Sequence, residues 1–184
     1  TPFIYSIVMC YRLLAKYVEN GSLAYLLNSK HGRTKIVITQ WVNLFLGVVV
    51  MIAFNTGLMI VCCSMMFKGA LDIPRFLLLN LGLLALQLFI AAFCFMFACL
   101  FNDVKYSIGC GAGGISLFII MQMFFSVYDN AKILLYCNPL SLFNPRQLVN
   151  GNIVSVISLV VLLGLTAIFL TIGLLGFRRK DLPL

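Results

Sequence analysis

The stretch FLLLNLGLLALQLFIAAFCFMFACLF, residues 76–101, decides the fold because none of its side chains carries a charge. An α-helix needs about 20 apolar residues to cross the roughly 30 Å hydrocarbon core of a bilayer, and this stretch is long enough. The rest of the chain could not hide it from water, since the 184 residues are 62% hydrophobic and only 10% charged, with a mean hydropathy of +1.08. The composition therefore predicts a membrane protein.

Three other stretches are similarly long and free of charge, and each predicts a membrane span. They are Trp41–Phe67, Tyr106–Tyr128 and Ile153–Phe177. The opening run Phe3–Tyr11 is too short to cross alone, and we interpret it as the inner half of a helix whose first part precedes Thr1. The predicted fold is an all-α polytopic transmembrane bundle, with five spans of a six-span architecture, in which residues 1–184 form a single domain.

The distribution of basic residues predicts the orientation of this bundle. If the loops alternate between two sides, one side collects nine lysine and arginine residues and the other collects four. The nine are Arg12, Lys16, Lys30, Arg33, Lys35, Lys105, Arg178, Arg179 and Lys180. Basic loops stay in the cytoplasm, so the tail 178–184 is predicted to be cytoplasmic and the segment 129–152 to lie outside. The net charge of +8 is then explained by topology and contact with anionic lipid, and no nucleic-acid partner is expected.

The segment 19–35, ENGSLAYLLNSKHGRTK, is polar enough to require water although it lies between apolar runs. Ser22 is a suitable N-cap and Gly32 a suitable C-terminal stop for a helix of about nine residues. Leu23, Leu26 and Leu27 would share one face of that helix. Such a segment can lie on lipid headgroups or fit the groove of a soluble partner, and the physical pattern alone favours the lipid headgroups.

The residues GSLAYLLNSKHGRTKIVITQ, 21–40, resemble the coupling helix that follows the second transmembrane helix in ABC exporter-like permeases of the type-2 class. NPLSLFNPRQLVNG, 138–151, is similar to the re-entrant or interfacial outer segment of that family, and GFRRKDLPL, 176–184, to its basic ending. The family has six helices with both termini in the cytoplasm, which agrees with the charge distribution once a first helix is added.

The resemblance implies a permease subunit of an ATP-binding cassette exporter in a bacterial plasma membrane. It implies two copies of a separate ATPase subunit, which carries ATP and magnesium, and a second copy of the permease or a paired permease. This chain would contain no cofactor and would not itself be an enzyme, since it lacks the phosphate-binding pattern GxxxxGK[ST]. The residues expected to contact the ATPase are Glu19, Leu23, Tyr25, Leu26, Leu27, Lys30 and Arg33.

The spans contain polar side chains but no charged ones, so an ion-coupled mechanism is not expected and the driving force should come from a partner. Asn55, Gln87 and Gln122 could line a substrate path, and the alternative for such residues is a hydrogen bond between helices. Phenylalanine and methionine crowd two spans, where they either form a soft lining for an amphipathic or hydrophobic substrate or face lipid. Peptides, antibiotics and lipid-like molecules are the expected substrates. The rival interpretation is an accessory membrane protein for peptide sensing or immunity, without ATP-driven transport.

GCGAGG, residues 109–114, matches the dinucleotide-binding spacing GxGxxG, but no strand precedes it and it opens a membrane helix. Gly109 and Gly113 instead predict a GxxxG surface that lets another helix approach closely. The cysteines lie mostly inside spans and His31 has no cluster of cysteines around it, so no metal site is expected.

Overall fold

The structure is a computed structural model, and it describes residues 2–10, 12, 33–66, 72–101, 103–127, 138–143, 145, 148 and 153–178. The elements are α1 (Pro2–Cys10), α2 (Arg33–Met66), α3 (Ile73–Leu100), α4 (Val104–Val127), the 3-10 helix η1 (Pro139–Leu142) and α5 (Ile153–Arg178). Among the residues that the structure describes, four helices are long and apolar enough to cross a membrane, over Val37–Met66, Ile73–Leu100, Lys105–Phe124 and Val156–Phe177. The predicted all-α polytopic bundle is confirmed. The opening helix α1 has nine residues, so it is not among these four.

The ends of α3 follow from its local sequence. Pro74 lies in the first turn, where its missing N–H costs no intrahelical hydrogen bond. Asp72 and Arg75 form an exposed ion pair there, with 3.1 Å between Oδ2 and Nε, and such a pair contributes about 0–1 kcal/mol. At the other end Phe101 takes an extended conformation, while its N–H still donates to the carbonyl of Phe97 at 3.0 Å. A short connection then leads directly into α4.

Helix α3 lies at the centre of the bundle, and α1, α2, α4 and α5 all pack against it. Almost every residue from Ala85 to Cys99 is buried. Its alanines at 85, 91, 92 and 98 let neighbouring backbones come close, and its phenylalanines fill the space between them. The other three long helices are mostly exposed along their most apolar stretches. This arrangement makes α3 the core and leaves the outer helices to face lipid or other chains.

Side-chain contacts fix the relative directions of the helices. Ser6 contacts Gln87 and Cys10 contacts Ala91, so α1 runs parallel to α3. Gly173 lies beside Met96 and Gly176 beside Leu100, so α5 also runs parallel to α3. Helices α2 and α4 join α3 through short connections and run antiparallel to it. Helices α1, α3 and α5 finish at the same end of the bundle, which we call the basic end. We call the other end of the bundle the opposite end.

The charged residues that the structure describes at the basic end are one acidic residue, Asp103, and five cations, Arg12, Arg33, Lys35, Lys105 and Arg178. At the opposite end, the charged residues that the structure describes are Asp72 and Arg75. The predicted alternation of the connections between two sides is therefore confirmed for these helices.

Helix α2 packs on the bundle along part of its length. Its buried positions, Val37, Leu44, Val48, Ile52 and Thr56, follow one another at spacings of seven or four residues and form a narrow stripe. Beyond Thr56 the helix continues to Met66 with no buried residue. A helix of 34 residues is about 51 Å long, and its last ten residues add no buried side chain to the bundle.

Candidate functional site

The predicted coupling residues Glu19, Leu23, Tyr25, Leu26, Leu27 and Lys30 lie outside the described residues, and so does the predicted short helix between Ser22 and Gly32. Arg33 is the first residue of α2, and Lys35 is exposed two residues later. The helices on both sides of this connection, α1 and α2, meet the basic end at Cys10 and Arg33. The connection therefore begins and ends on the side of the bundle where the cations collect.

Gln87 was predicted either to line a substrate path or to form a hydrogen bond between helices, and the structure shows the hydrogen bond. Its side chain is 2% exposed, and Nε2 donates to the hydroxyl of Ser6 at 2.5 Å. Ser6 is fully buried on α1. A buried amide without a partner would be costly in an apolar core, so this pair positions α1 against α3. One turn later the thiol of Cys10 contacts the carbonyl of Ala91 at 3.7 Å and extends the same contact line.

Asn55 has different surroundings, because it is exposed on α2 well inside the span. None of the hydrogen bonds among the described residues involves its side chain. The next residue, Thr56, is buried and donates its hydroxyl to the carbonyl of Ile52 at 2.8 Å. Gln122, the third path candidate, is half-buried on α4. The structure therefore does not bring the three predicted path residues together.

Helix α4 carries two sets of glycines on different faces. Gly111 and Gly114 face α3, where an added Cβ would lie 3.6 Å from the Cα of Cys94 and 2.8 Å from the ring of Phe93 respectively. Gly109 and Gly113 are exposed, with nothing within 4 Å of the position a Cβ would occupy. The close approach inside this chain thus occurs at Gly111 and Gly114. For Gly109 and Gly113, a helix contact stays a prediction that a different chain would have to satisfy.

Three aromatic side chains of α3, those of Phe89, Phe93 and Phe95, neither face lipid nor line an open path. Phe89, Phe93 and Phe95 are at most 9% exposed, and Met96 is buried with them. Phe93 is the centre of the cluster, and its ring centroid lies 5.0–6.4 Å from those of Phe89, Phe97, Phe118 and Phe169. The sequence predicted that these residues either line a substrate path or face lipid, and both predictions are wrong for these residues of α3, because their side chains pack in the core. Met123 and Phe124 of α4 are exposed.

The segment 129–152, which the sequence predicts to lie outside, is described from Asn138 to Phe143 and at residues 145 and 148. Asn138 is 1% exposed, accepts a hydrogen bond from the N–H of Leu140 at 3.1 Å and donates from Nδ2 to the carbonyl of Phe118 at 2.8 Å. The Asn-Pro pair at 138–139 is a turn-initiating signal, but only the fold shows that this side chain reaches α4. Asn138 is the functional candidate that the sequence interpretation missed.

Together, the central apolar helix, the alternating connections and the cations at one end define a multi-pass helical membrane protein. The sequence model of the ABC-2 family transporter protein matches residues 2–182, so the chain belongs to this family. Comparison with curated proteins and with solved structures gives no match. Membership supports a permease-type transport role, in a family whose permeases generally work with an ABC ATPase.

Proposed function

We propose that this chain is the membrane permease of an ABC exporter that moves an amphipathic or hydrophobic substrate, such as a peptide, an antibiotic or a lipid-like molecule, out of a bacterial cell. A separate ATPase, in two copies, binds ATP and magnesium and supplies the energy. The observation that carries this proposal is where the two helices that flank the segment between α1 and α2 end and begin. The segment carries the residues that resemble a coupling helix, and both flanking helices meet the basic end. By the positive-inside rule that end faces the cytoplasm, where an ATPase is available.

The absence of charged residues from the predicted spans supports the same mechanism. Proton and ion relays need intramembrane acidic or histidine side chains, and these spans contain none. The α3 core is filled by aromatic rings, so the substrate path would run along an outer face of the bundle and not through its centre. A second permease copy, opposing that face, would enclose the path. ATP-driven movement of the coupling segment would then alter how the two copies meet.

Asn55 is the described residue best placed to contact a substrate on this outer face, because an exposed amide near the middle of a span otherwise points into hydrocarbon. Asn55→Leu is expected to reduce ATP-dependent uptake of a fluorescent amphipathic peptide into inverted vesicles several-fold and to leave thermal stability unchanged. Gln87→Leu should have the opposite pattern of effects: it should lower the free energy of unfolding by about 0.6 kcal/mol and have little effect on transport.

Asn43→Leu is the matched control for Asn55→Leu, since Asn43 is also exposed on α2 and lies nearer the basic end. Equal uptake by Asn55→Leu and Asn43→Leu would remove Asn55 from the path.

The exposed face of α4 is the proposed contact with the second permease copy. Gly109 and Gly113 leave a shallow surface there, and a similar small-residue face would allow the backbones to approach closely. We expect the complex extracted in mild detergent to contain two permeases and two copies of a protein with GxxxxGK[ST], measured by native mass spectrometry.

Gly113→Leu should lower the fraction of complexes with two permeases, whereas Gly164→Leu on α5 should not, although both glycines have open space around them. If Gly113→Leu leaves the pairing intact, the contact lies elsewhere. If no ATPase is found under conditions that preserve other membrane complexes, the sensing or immunity function replaces the exporter.

A further inference from the structure

Helices α4 and α5 are held together mainly through shared partners. Both pack on α3 and both pack on η1, whose contacts at Gly82 and Phe118 lie in the half of the bundle toward the opposite end. Between them, Phe93 of α3 contacts Phe118 of α4 and Phe169 of α5, with ring centroids 5.7 Å and 5.5 Å away. We call this arrangement the α4–α5 seam. Because Phe93 of a third helix bridges the seam, separation of α4 from α5 would break the contact between Phe93 and Phe118 and few direct contacts between α4 and α5.

The residues Asn138–Phe143 close this seam at the opposite end. Asn138 donates to the carbonyl of Phe118, the same residue whose ring contacts Phe93. Phe143 lies against α3, where its ring would be 2.7 Å from a Cβ at Gly82. The segment therefore spans from α3 to α4, with Phe143 at Gly82 and a hydrogen bond at Phe118, and its Leu140 and Leu142 pack in the hydrophobic core.

The hydrogen bond from Asn138 is suited to repeated opening. Phe118 lies within α4, where its carbonyl also accepts the intrahelical hydrogen bond from four residues ahead. A carbonyl oxygen has two lone pairs, so release of Asn138 leaves no unpaired helix carbonyl behind. Asn138 itself lies at the start of η1 and is 1% exposed, so its release from the carbonyl requires η1 to shift relative to α4.

We propose that Asn138–Phe143 is a latch that fastens α4 to α3 and keeps the α4–α5 seam shut, and that breaking the Asn138–Phe118 hydrogen bond frees α4 to move while α5 stays in place. The proposal concerns helix packing and holds whether or not the chain exports the substrates proposed above.

Two native cysteines of α3 lie under different neighbouring helices, so their accessibility to a thiol reagent measures separately whether α4 or α5 has moved. Cys94 is 5% exposed beneath Gly111 of α4, and Cys99 is fully buried beneath Gly173 of α5. The distances from a Cβ at those glycines to the nearest cysteine sulfur would be 3.6 Å and 3.7 Å, so the two thiols are covered equally closely. Release of α4 should expose Cys94 and leave Cys99 covered.

The test is pulse labelling of the full chain with N-ethylmaleimide in mild detergent, with the rate at each cysteine measured by mass spectrometry. Asn138→Ser is the informative variant, because a serine hydroxyl can still cap η1 but is too short to reach Phe118. It should raise the labelling rate of Cys94 about five- to tenfold, as expected for loss of one hydrogen bond from a local opening equilibrium. The rate at Cys99 should not change.

Ser141→Ala is the matched control. The hydroxyl of Ser141 donates to the carbonyl of Asn138 at 2.7 Å, so its removal disturbs the same turn without touching the bond to α4. It should label Cys94 at the wild-type rate. An unchanged Cys94 rate in Asn138→Ser overturns the latch, and so does a parallel rise at Cys99, which would mean that the whole bundle had loosened.

Discussion

Gly173→Leu is expected to lower the stability of the bundle more than any other single change at an outer helix. A Cβ at position 173 would lie 3.3 Å from the backbone Cα of Met96, and a leucine side chain would extend farther into α3. Backbone cannot rotate aside as a flexible side chain can, so α5 would have to move away from α3, its most extensive packing partner. Overpacking of this kind costs about 1–3 kcal/mol or more.

The measurement is thermal unfolding in detergent, where each kcal/mol corresponds to a shift in Tm of about 2–4 °C for a chain of this size. Gly164→Leu, on the same helix with open space around it, provides the control and should leave Tm nearly unchanged. Equal melting of the two variants would contradict the packing of α5 against α3.

Leu26→Asp is expected to abolish substrate-stimulated ATP hydrolysis and to release the ATPase from the purified complex. Leu26 lies on the apolar stripe of the predicted coupling helix with Leu23 and Leu27. A carboxylate buried in the partner's groove without a counter-charge would cost several kcal/mol, and 1.4 kcal/mol already corresponds to a tenfold loss of affinity. The variant should still fold, because the change lies outside the apolar spans.

Asn28→Asp is the matched control for this experiment. It adds the same charge to the same segment at a position off the leucine stripe, so it should retain the ATPase and its stimulation. If Leu26→Asp also retains both, the segment does not couple to an ATPase, and the interfacial lipid-binding interpretation gains support.

The four long spans could be located from sequence within a few residues. Trp41–Phe67 was predicted and Val37–Met66 is found; Phe76–Phe101 was predicted and Ile73–Leu100 is found. This succeeds because crossing a bilayer demands an uninterrupted apolar length, which is a local property. The two sides of the bundle were also predictable, since the connections alternate and the basic residues are counted along the chain.

The partners of individual side chains were not predictable. Gln87 and Asn55 have similar surroundings in sequence, yet one is bonded to Ser6 in the core and the other is exposed. Gly109 and Gly111 are two residues apart, which places them about 200° apart around a helix, and the sequence does not say which of them meets α3. Asn138 reaches a carbonyl 20 residues away in the chain. Each outcome depends on how one helix is rotated against another.

Sequence alone thus determined that this protein is an all-helical membrane bundle, where its spans lie and which residues resemble a coupling helix. The tertiary structure alone decided which helix is central. The most apolar stretches of α3 and α5 have mean hydropathies of 2.5 and 2.6, but 78% of the first is buried against 22% of the second. In a bilayer, lipid is as apolar as another helix, so hydropathy cannot distinguish the two surroundings. The central place goes to α3 because its alanines and stacked phenylalanines fit four neighbours at once.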